Sequence, residues 1–236
     1  MKDSIQVRKV QNLGDNRNKG SCVHSGGPNE TRDHAPSIVF LDDPLPPDLP
    51  ASPSCAVCNQ GFSNDEAYFA CLLECVIVGD AKPALVRREK IAALMRRRPK
   101  LTAEMTALKR YEGDRVVFSF DHKRIENVVL KLARCHVAYE MNEPRIDEPE
   151  LVWFQPLSLM APEAIDAFEN DQNEVAVWPE VGSRAMHRLL VADDNAFSEG
   201  WLNIQPDRYR YKVTLESGLR VRIVLREYLA CEVLWN

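Results

Sequence analysis

Residues 21–62 constrain this chain more than any other part of it. The stretch is rich in Gly, Pro and Ser, and its apolar residues follow neither a helical nor a strand period. Such a segment cannot fold on apolar burial alone and needs a staple, for which a bound metal is the usual device. The piece "DDPLPPDLPASPS" has too many prolines for anything but extended loop. At its end comes a Cys-x-x-Cys clip, Cys55 and Cys58. Some thirty residues earlier lies a partial clip, Cys22-Val23-His24-Ser25, followed by Gly26-Gly27.

The other bulk properties set the context for that staple. No apolar run reaches the roughly 18–20 residues that span a bilayer, and the first twenty residues lack the apolar core of a secretory signal. A cytoplasmic location without membrane association is therefore expected. Thiols stay reduced there, so the seven cysteines (22, 55, 58, 71, 75, 135 and 231) should be metal ligands or buried apolar groups rather than disulfides. The formal net charge of -5 argues against a nucleic-acid binder, because such domains are usually basic. The basic residues, however, are clustered.

After the clip, Ser63 and Glu66 have capping-box spacing, which predicts a helix from Ser63. Tyr68, Cys71, Leu72, Cys75 and Val76 form its apolar stripe, and Gly79 ends it. A second helix is predicted from about Pro83 to Arg98, closed by Pro99. A short strand, "RVVFSF", leads to Asp121, which should cap a third helix with Ile125, Val128, Val129, Leu132 and His136 on its buried face. At the C-terminus, "YRYKVTL" and "LRVRIVL" alternate with period two. With residues 216–218 as a loop, Tyr211 should pair with Ile223 and Val213 with Val221, and Gly218 should take the left-handed position. The fold class expected is α+β with a C-terminal antiparallel sheet.

Zinc sites are commonly built from two short clips that bring four ligands about one ion. Cys22, Cys55 and Cys58 supply three. Ser25 stands where a fourth cysteine would be expected, and a hydroxyl does not ionise near neutral pH as a thiol does. The fourth ligand is then His24, water or nothing.

Asp33-His34-Ala35-Pro36 lies between the clips, and Asn59 directly follows the last clip cysteine. In this order of motifs the chain resembles the HNH endonuclease superfamily, of the zinc-stapled type, over about Cys22 to Gly79. The resemblance implies a ββα-metal finger and metal-dependent hydrolysis of phosphodiester bonds in DNA. By position, His34 would be the general base that activates water. Asp33 and Asn59 would hold a catalytic Mg²⁺ or Mn²⁺, and Cys22, His24, Cys55 and Cys58 a structural Zn²⁺, the alternative being its loss with Ser25. Where many members carry a further His or Lys after the Asn, this chain offers Asn64 or Asp65. The chemistry agrees with these roles. An imidazole titrating near neutrality can take a proton from water, and a cation beside the phosphate neutralises developing charge.

The implied organisation is a leader over residues 1–20, an HNH-like finger with a basic helix over 21–110, and an α+β accessory domain over 111–236. Two basic surfaces are candidates for DNA: the helix bearing Arg87, Arg88, Arg96, Arg97 and Arg98, and the hairpin face bearing Arg210, Lys212, Arg220 and Arg222. Cys71 and Cys75 share a helix face but are expected to be core thiols, as are Cys135 and Cys231, and His136 a buried histidine. The stretch from Trp178 to Arg188 is a candidate partner surface, and a protein partner would dock through the C-terminal domain. Two functions follow: an HNH-type DNA endonuclease, or a degenerate HNH-like finger that binds nucleic acid or protein.

Overall fold

A computed structural model describes residues 19–46, 49, 51–170, 197–198, 200–215 and 218–236. Most of the leader (1–18) and the Trp178–Arg188 stretch lie outside the described residues. The chain divides into two compact units, one of residues 1–60 with 129–236, the other of residues 61–128. This division differs from the boundary expected after residue 110, because two helices each contribute one end to either unit.

In the first unit, strands β1 (Thr31–His34) and β2 (Ala51–Ser54) form an antiparallel hairpin in which His34 pairs with Ala51 and Thr31 with Ser54. Helix α1 (Ala56–Val78) follows at once. It starts seven residues earlier than Ser63, because the Cys55-x-x-Cys58 clip itself winds into the first turn. The Glu30 carboxylate accepts the Ala56 N–H at 2.9 Å, and the Asn59 N–H donates to Cys55 O. A side chain brought in from the preceding strand region thus caps the helix.

The rest of this unit is the second half of helix α4 (His122–Glu140) and a six-stranded antiparallel sheet. The sheet holds β5 (Leu151–Pro156), β6 (Phe197–Ser198), β7 (Trp201–Gln205), β8 (Tyr209–Thr214), β9 (Leu219–Leu225) and β10 (Leu229–Trp235), in the order β5-β10-β9-β8-β7-β6. Helix α5 (Pro162–Asn170) puts Phe168 against Trp153 and Trp201 on one face of the sheet. The other face receives α4, where His136 stacks on Tyr211 at 3.7 Å between centroids and bonds the Tyr209 hydroxyl at 2.6 Å. His136 is fully buried, as its place on an apolar stripe implied. The expected pairs Tyr211–Ile223 and Val213–Val221 are present. The fold class is mixed α+β with the C-terminal antiparallel sheet anticipated from the alternation.

The second unit holds the rest of α1, helices α2 (Glu89–Arg97) and α3 (Pro99–Leu108), the isolated hairpin of β3 (Lys109–Glu112) and β4 (Arg115–Phe118), and the start of α4. Gly79 ends α1 at φ +71°, with Asp80 N–H bonded to Cys75 O. The single helix expected from Pro83 to Arg98 is instead a 3-10 turn at Pro83–Leu85 followed by α2. Pro99 does not merely stop that helix but opens α3 as its first residue. Cys71 and Cys75 are fully buried on α1, and burial pushes both thiols up to about 12. They are core groups. Glu74 lies buried between them and faces Arg88 at 3.6 Å.

Gly218 has φ +109°, and a Cβ there would come within 2.5 Å of Trp235 O. Gly218→Ala is therefore expected to cost more than ~1 kcal/mol, read as a lower urea midpoint with an unchanged denaturant slope.

Candidate metal centre and its hairpin

The backbone first shapes the metal ligands. Cys22 N–H bonds Gly27 O at 2.7 Å and Gly26 N–H bonds Cys22 O at 2.9 Å, with Gly26 at φ +70°. This tight turn is tied to β2 by Val23 N–H on Pro53 O. It carries Cys22 to the clip at the N-terminus of α1, where the sulfurs of Cys22, Cys55 and Cys58 lie within 4.8 Å of one another. Four-coordinate zinc with Zn–S near 2.3 Å needs sulfurs about 3.8 Å apart, so a small adjustment closes the set on one ion. Backbone N–H groups already aim at two of the sulfurs, His24 N on Cys22 Sγ and Cys58 N on Cys55 Sγ, both at 3.4 Å. Burial pushes the Cys22 thiol up, but the Ser25 hydroxyl and the N–H groups of Cys55, His24 and Ser25 outweigh it and bring it down to about 6. Burial chiefly holds the Cys58 thiol high, at about 11, with the neighbouring Cys55 and Cys22 adding to it. A cation entering the cluster would meet a ready thiolate at Cys22 and would have to displace the proton of Cys58.

The fourth corner belongs to Ser25. Its Oγ is 3.8 Å from Cys55 Sγ, and the residue is exposed. His24, expected as a substitute ligand, points away. Its Nε2 faces Asp33 Oδ2 at 3.3 Å and Cys135 Sγ at 3.7 Å in a separate buried group that could also hold a metal. The reason is local. One residue further along a tight turn reverses the side-chain direction, so His24 and Ser25 cannot both face the clip.

Asp33 and His34 also separate. Alternation along β1 sends Asp33 inward, at 6% exposure, while His34 stays half-buried on the other side. Asp33 Oδ1 lies 2.6 Å from the Lys131 ammonium and Oδ2 contacts His24. Lys131 also donates to Ser37 Oγ at 2.6 Å. This carboxylate does not fit the expected part of a ligand for an exposed catalytic cation, because both oxygens are already engaged and a buried ammonium neutralises it. Burial alone would raise the Asp33 pKa. The His24 contact and the Lys131 charge reverse that and hold it below the ordinary value of 3.8. Asn59 donates from Nδ2 to Thr31 Oγ1 at 3.0 Å and Arg32 O at 3.3 Å. The side chain clasps β1 just ahead of His34, which makes it a brace between α1 and the strand.

Of the expected basic surfaces, Arg87, Arg96, Arg97 and Arg98 are exposed, with Arg96 paired to Glu89 and Arg98 bonded to Asn64 Oδ1 at 3.5 Å. Arg88 is buried against Glu74. Asp65 accepts from Arg124 at 2.9 Å and Asn127 at 2.8 Å, which gives it a structural task. The C-terminal set is not an open basic face. Lys212 is 5% and Arg222 3% exposed, Arg222 and Arg220 lie 2.7 and 3.7 Å from Glu232, and Arg210 forms a two-bond pair with Glu169 at 2.6 and 2.7 Å. Cross-strand register aligns Lys212, Arg222 and Glu232 in one row. A cavity of about 390 Å³ lies over the Arg220, Arg222 and Glu232 end of it, walled by Trp153, Met160 and Phe168.

Sequence reasoning missed Lys131, Ser37, Glu30 and Thr31. Only Lys131 left a signal: it falls at i+3 from Val128 and i-4 from Cys135, inside an apolar helical stripe. Among the described residues no helix is long and apolar enough to cross a membrane. Comparison with known proteins returns nothing: no protein family, no curated protein and no solved structure matches this chain.

Two outcomes are expected here. Purified protein should carry about one zinc per chain by mass spectrometry, Cys55→Ala should lose it, and Ser25→Cys should tighten it in a chelator competition. Separately, Lys131→Met should destabilise the fold by about 3–5 kcal/mol by leaving Asp33 buried without its cation, and adding Asp33→Asn should recover much of that loss. Because the Asp33 pKa is depressed on folding, its contribution is complete above the unfolded value and is lost as pH falls through the folded one. Stability should therefore drop below about pH 4, and the drop should shrink in the double variant.

Proposed function

We propose that this chain is an HNH-type endonuclease acting on DNA, with His34 as the general base and Asn59 as the residue that positions it. The observation that carries the reading is the arrangement of hairpin, clip and helix. A two-stranded hairpin runs straight into α1, and Asn59 reaches from the first turns of that helix to the strand just before His34. His34 is half-buried on the opposite side from Asp33. In the proposed reaction His34 takes a proton from water as its oxygen attacks phosphorus, and the P–O bond to the departing sugar oxygen breaks. Zinc held by Cys22, Cys55 and Cys58 would fix the hairpin against the helix. A divalent cation would supply charge neutralisation at the phosphate. With Asp33 engaged by Lys131 and His24, no ligand set is assigned to it.

A second reading is a finger of the same build that has lost catalysis and binds nucleic acid or protein. The engagement of both Asp33 oxygens favours it. One assay separates the two. With Mg²⁺ or Mn²⁺ the wild-type protein is expected to nick or cut duplex DNA. His34→Ala should lower the rate by about 10² or more without changing the melting temperature, and Asn59→Ala should lower it while also loosening the hairpin. Zinc-loaded, folded protein that cuts nothing with any of several divalent ions would leave the binding reading standing.

A further inference from the structure

The side of the cysteine cluster that carries Ser25 faces solvent. Cys22 and Cys55 are buried and Cys58 is partly so, whereas Ser25 and Gly26 are exposed, as is Val57 inside the second clip. The Ser25 hydroxyl stands against all three sulfurs: its Oγ is 3.8 Å from Cys55 Sγ, and it hydrogen-bonds to Cys22 and to Cys58. It also accepts the Gly27 N–H at 3.3 Å. A hydroxyl that keeps its proton offers a sulfur a hydrogen bond but a metal only a neutral oxygen. No fourth His, Cys, Asp or Glu joins the three sulfurs among the described residues, and His24 is turned to Asp33 and Cys135. Three thiolates already exceed the charge of a divalent ion. The N-terminus of α1, on which Cys55 and Cys58 sit, offsets the extra negative charge.

Zinc with three protein donors and a fourth position reached from solvent has the coordination of a metal that exchanges ligands, not that of a closed structural site. Three sulfur donors make the ion soft, so a fourth sulfur suits it better than an oxygen. A thiol that binds zinc gives up its proton. We propose that the fourth position, at Ser25, is a binding site for a small external thiol of the class of cysteine or glutathione, held on the metal as its thiolate. The exchange is a ligand substitution. Water leaves the metal, one metal–sulfur bond forms, the thiol's proton passes to solvent, and nothing is oxidised or reduced. The inference rests on the assignment of zinc to Cys22, Cys55 and Cys58 and is independent of whether DNA is cut.

The test uses the full chain with Co²⁺ in place of zinc, in thiol-free buffer under argon, because cobalt takes the same tetrahedral site and its visible spectrum reports the donor set. The protein alone is expected to show the bands of a site with three sulfurs and one oxygen. Excess glutathione should move the d–d bands to lower energy and raise the sulfur-to-cobalt charge-transfer absorption by about one third, the share of a fourth thiolate beside three. S-methylglutathione, the same peptide without its thiol, should change nothing. Ser25→Cys should show the four-sulfur spectrum from the start and ignore glutathione. Cobalt-loaded wild type whose spectrum glutathione leaves unchanged overturns the proposal while the metal assignment stands. A response that S-methylglutathione reproduces, or cobalt stripped from the protein on gel filtration with glutathione, overturns it as well. Protein that takes up neither Co²⁺ nor Zn²⁺ removes the metal assignment and the proposal together. None of these outcomes depends on cleavage of DNA, so the nuclease reading is judged separately.

Discussion

An ammonium with no exposed surface sits at the middle of α4, and the first unit is arranged around it. Lys131 could not be buried there alone, since moving an ion of that size out of water costs several kcal/mol. Asp33 and Ser37 make the position tenable. In doing so they fix the inner face of β1 and the loop after it against the helix. His24 closes the same group from the cysteine turn, and Cys135 from the next turn of α4. The first clip, the hairpin and the long helix therefore share one buried polar junction, and a change in any of its charges is felt by all three.

That junction also divides two kinds of work that stand side by side in the sequence. Asp33 faces inward and is structural, whereas His34, one residue on, faces the other way with part of its surface open. A metal held by Cys22, Cys55 and Cys58 would clamp the far end of the same hairpin, and Asn59 clasps its middle from α1. With a metal in place, the strand that bears His34 would be gripped at three points by groups of three different chemistries. In the nuclease proposed above, His34 would have to meet a reacting atom within a fraction of an ångström, and such support would serve it.

Charge is used in opposite ways in the two units. In the C-terminal sheet, Arg210, Arg222 and Glu232 form internal pairs under an apolar cover, and the alternation that exposed them in the sequence carries no hint of that cover. Helix α5 supplies Phe168 and Glu169 to the face that a lone hairpin would leave in water. In the second unit the cations of α2 and of β3–β4 mostly stay in solvent. The two sets look alike as strings of Lys and Arg. Only the presence or absence of a covering element tells them apart.

Periodicity alone located the α4 stripe, the β8–β9 register and the Gly79 and Gly218 turns, because each depends on spacing of one or two elements along the chain. The three-thiol clip was legible as well, since its members are close in sequence or share a recognisable turn. The start of α1 was not, because the cap that moves it back to Ala56 comes from Glu30, far away in the chain. Nor was the fourth corner of the cluster, because a tight turn decides between His24 and Ser25 by backbone direction rather than by ligand strength. The partner of Asp33 lies almost a hundred residues downstream. What a carboxylate does depends on which cation the fold brings to it, and that is settled by tertiary structure because Coulomb energy depends on distance in space and on burial, neither of which a sequence position records.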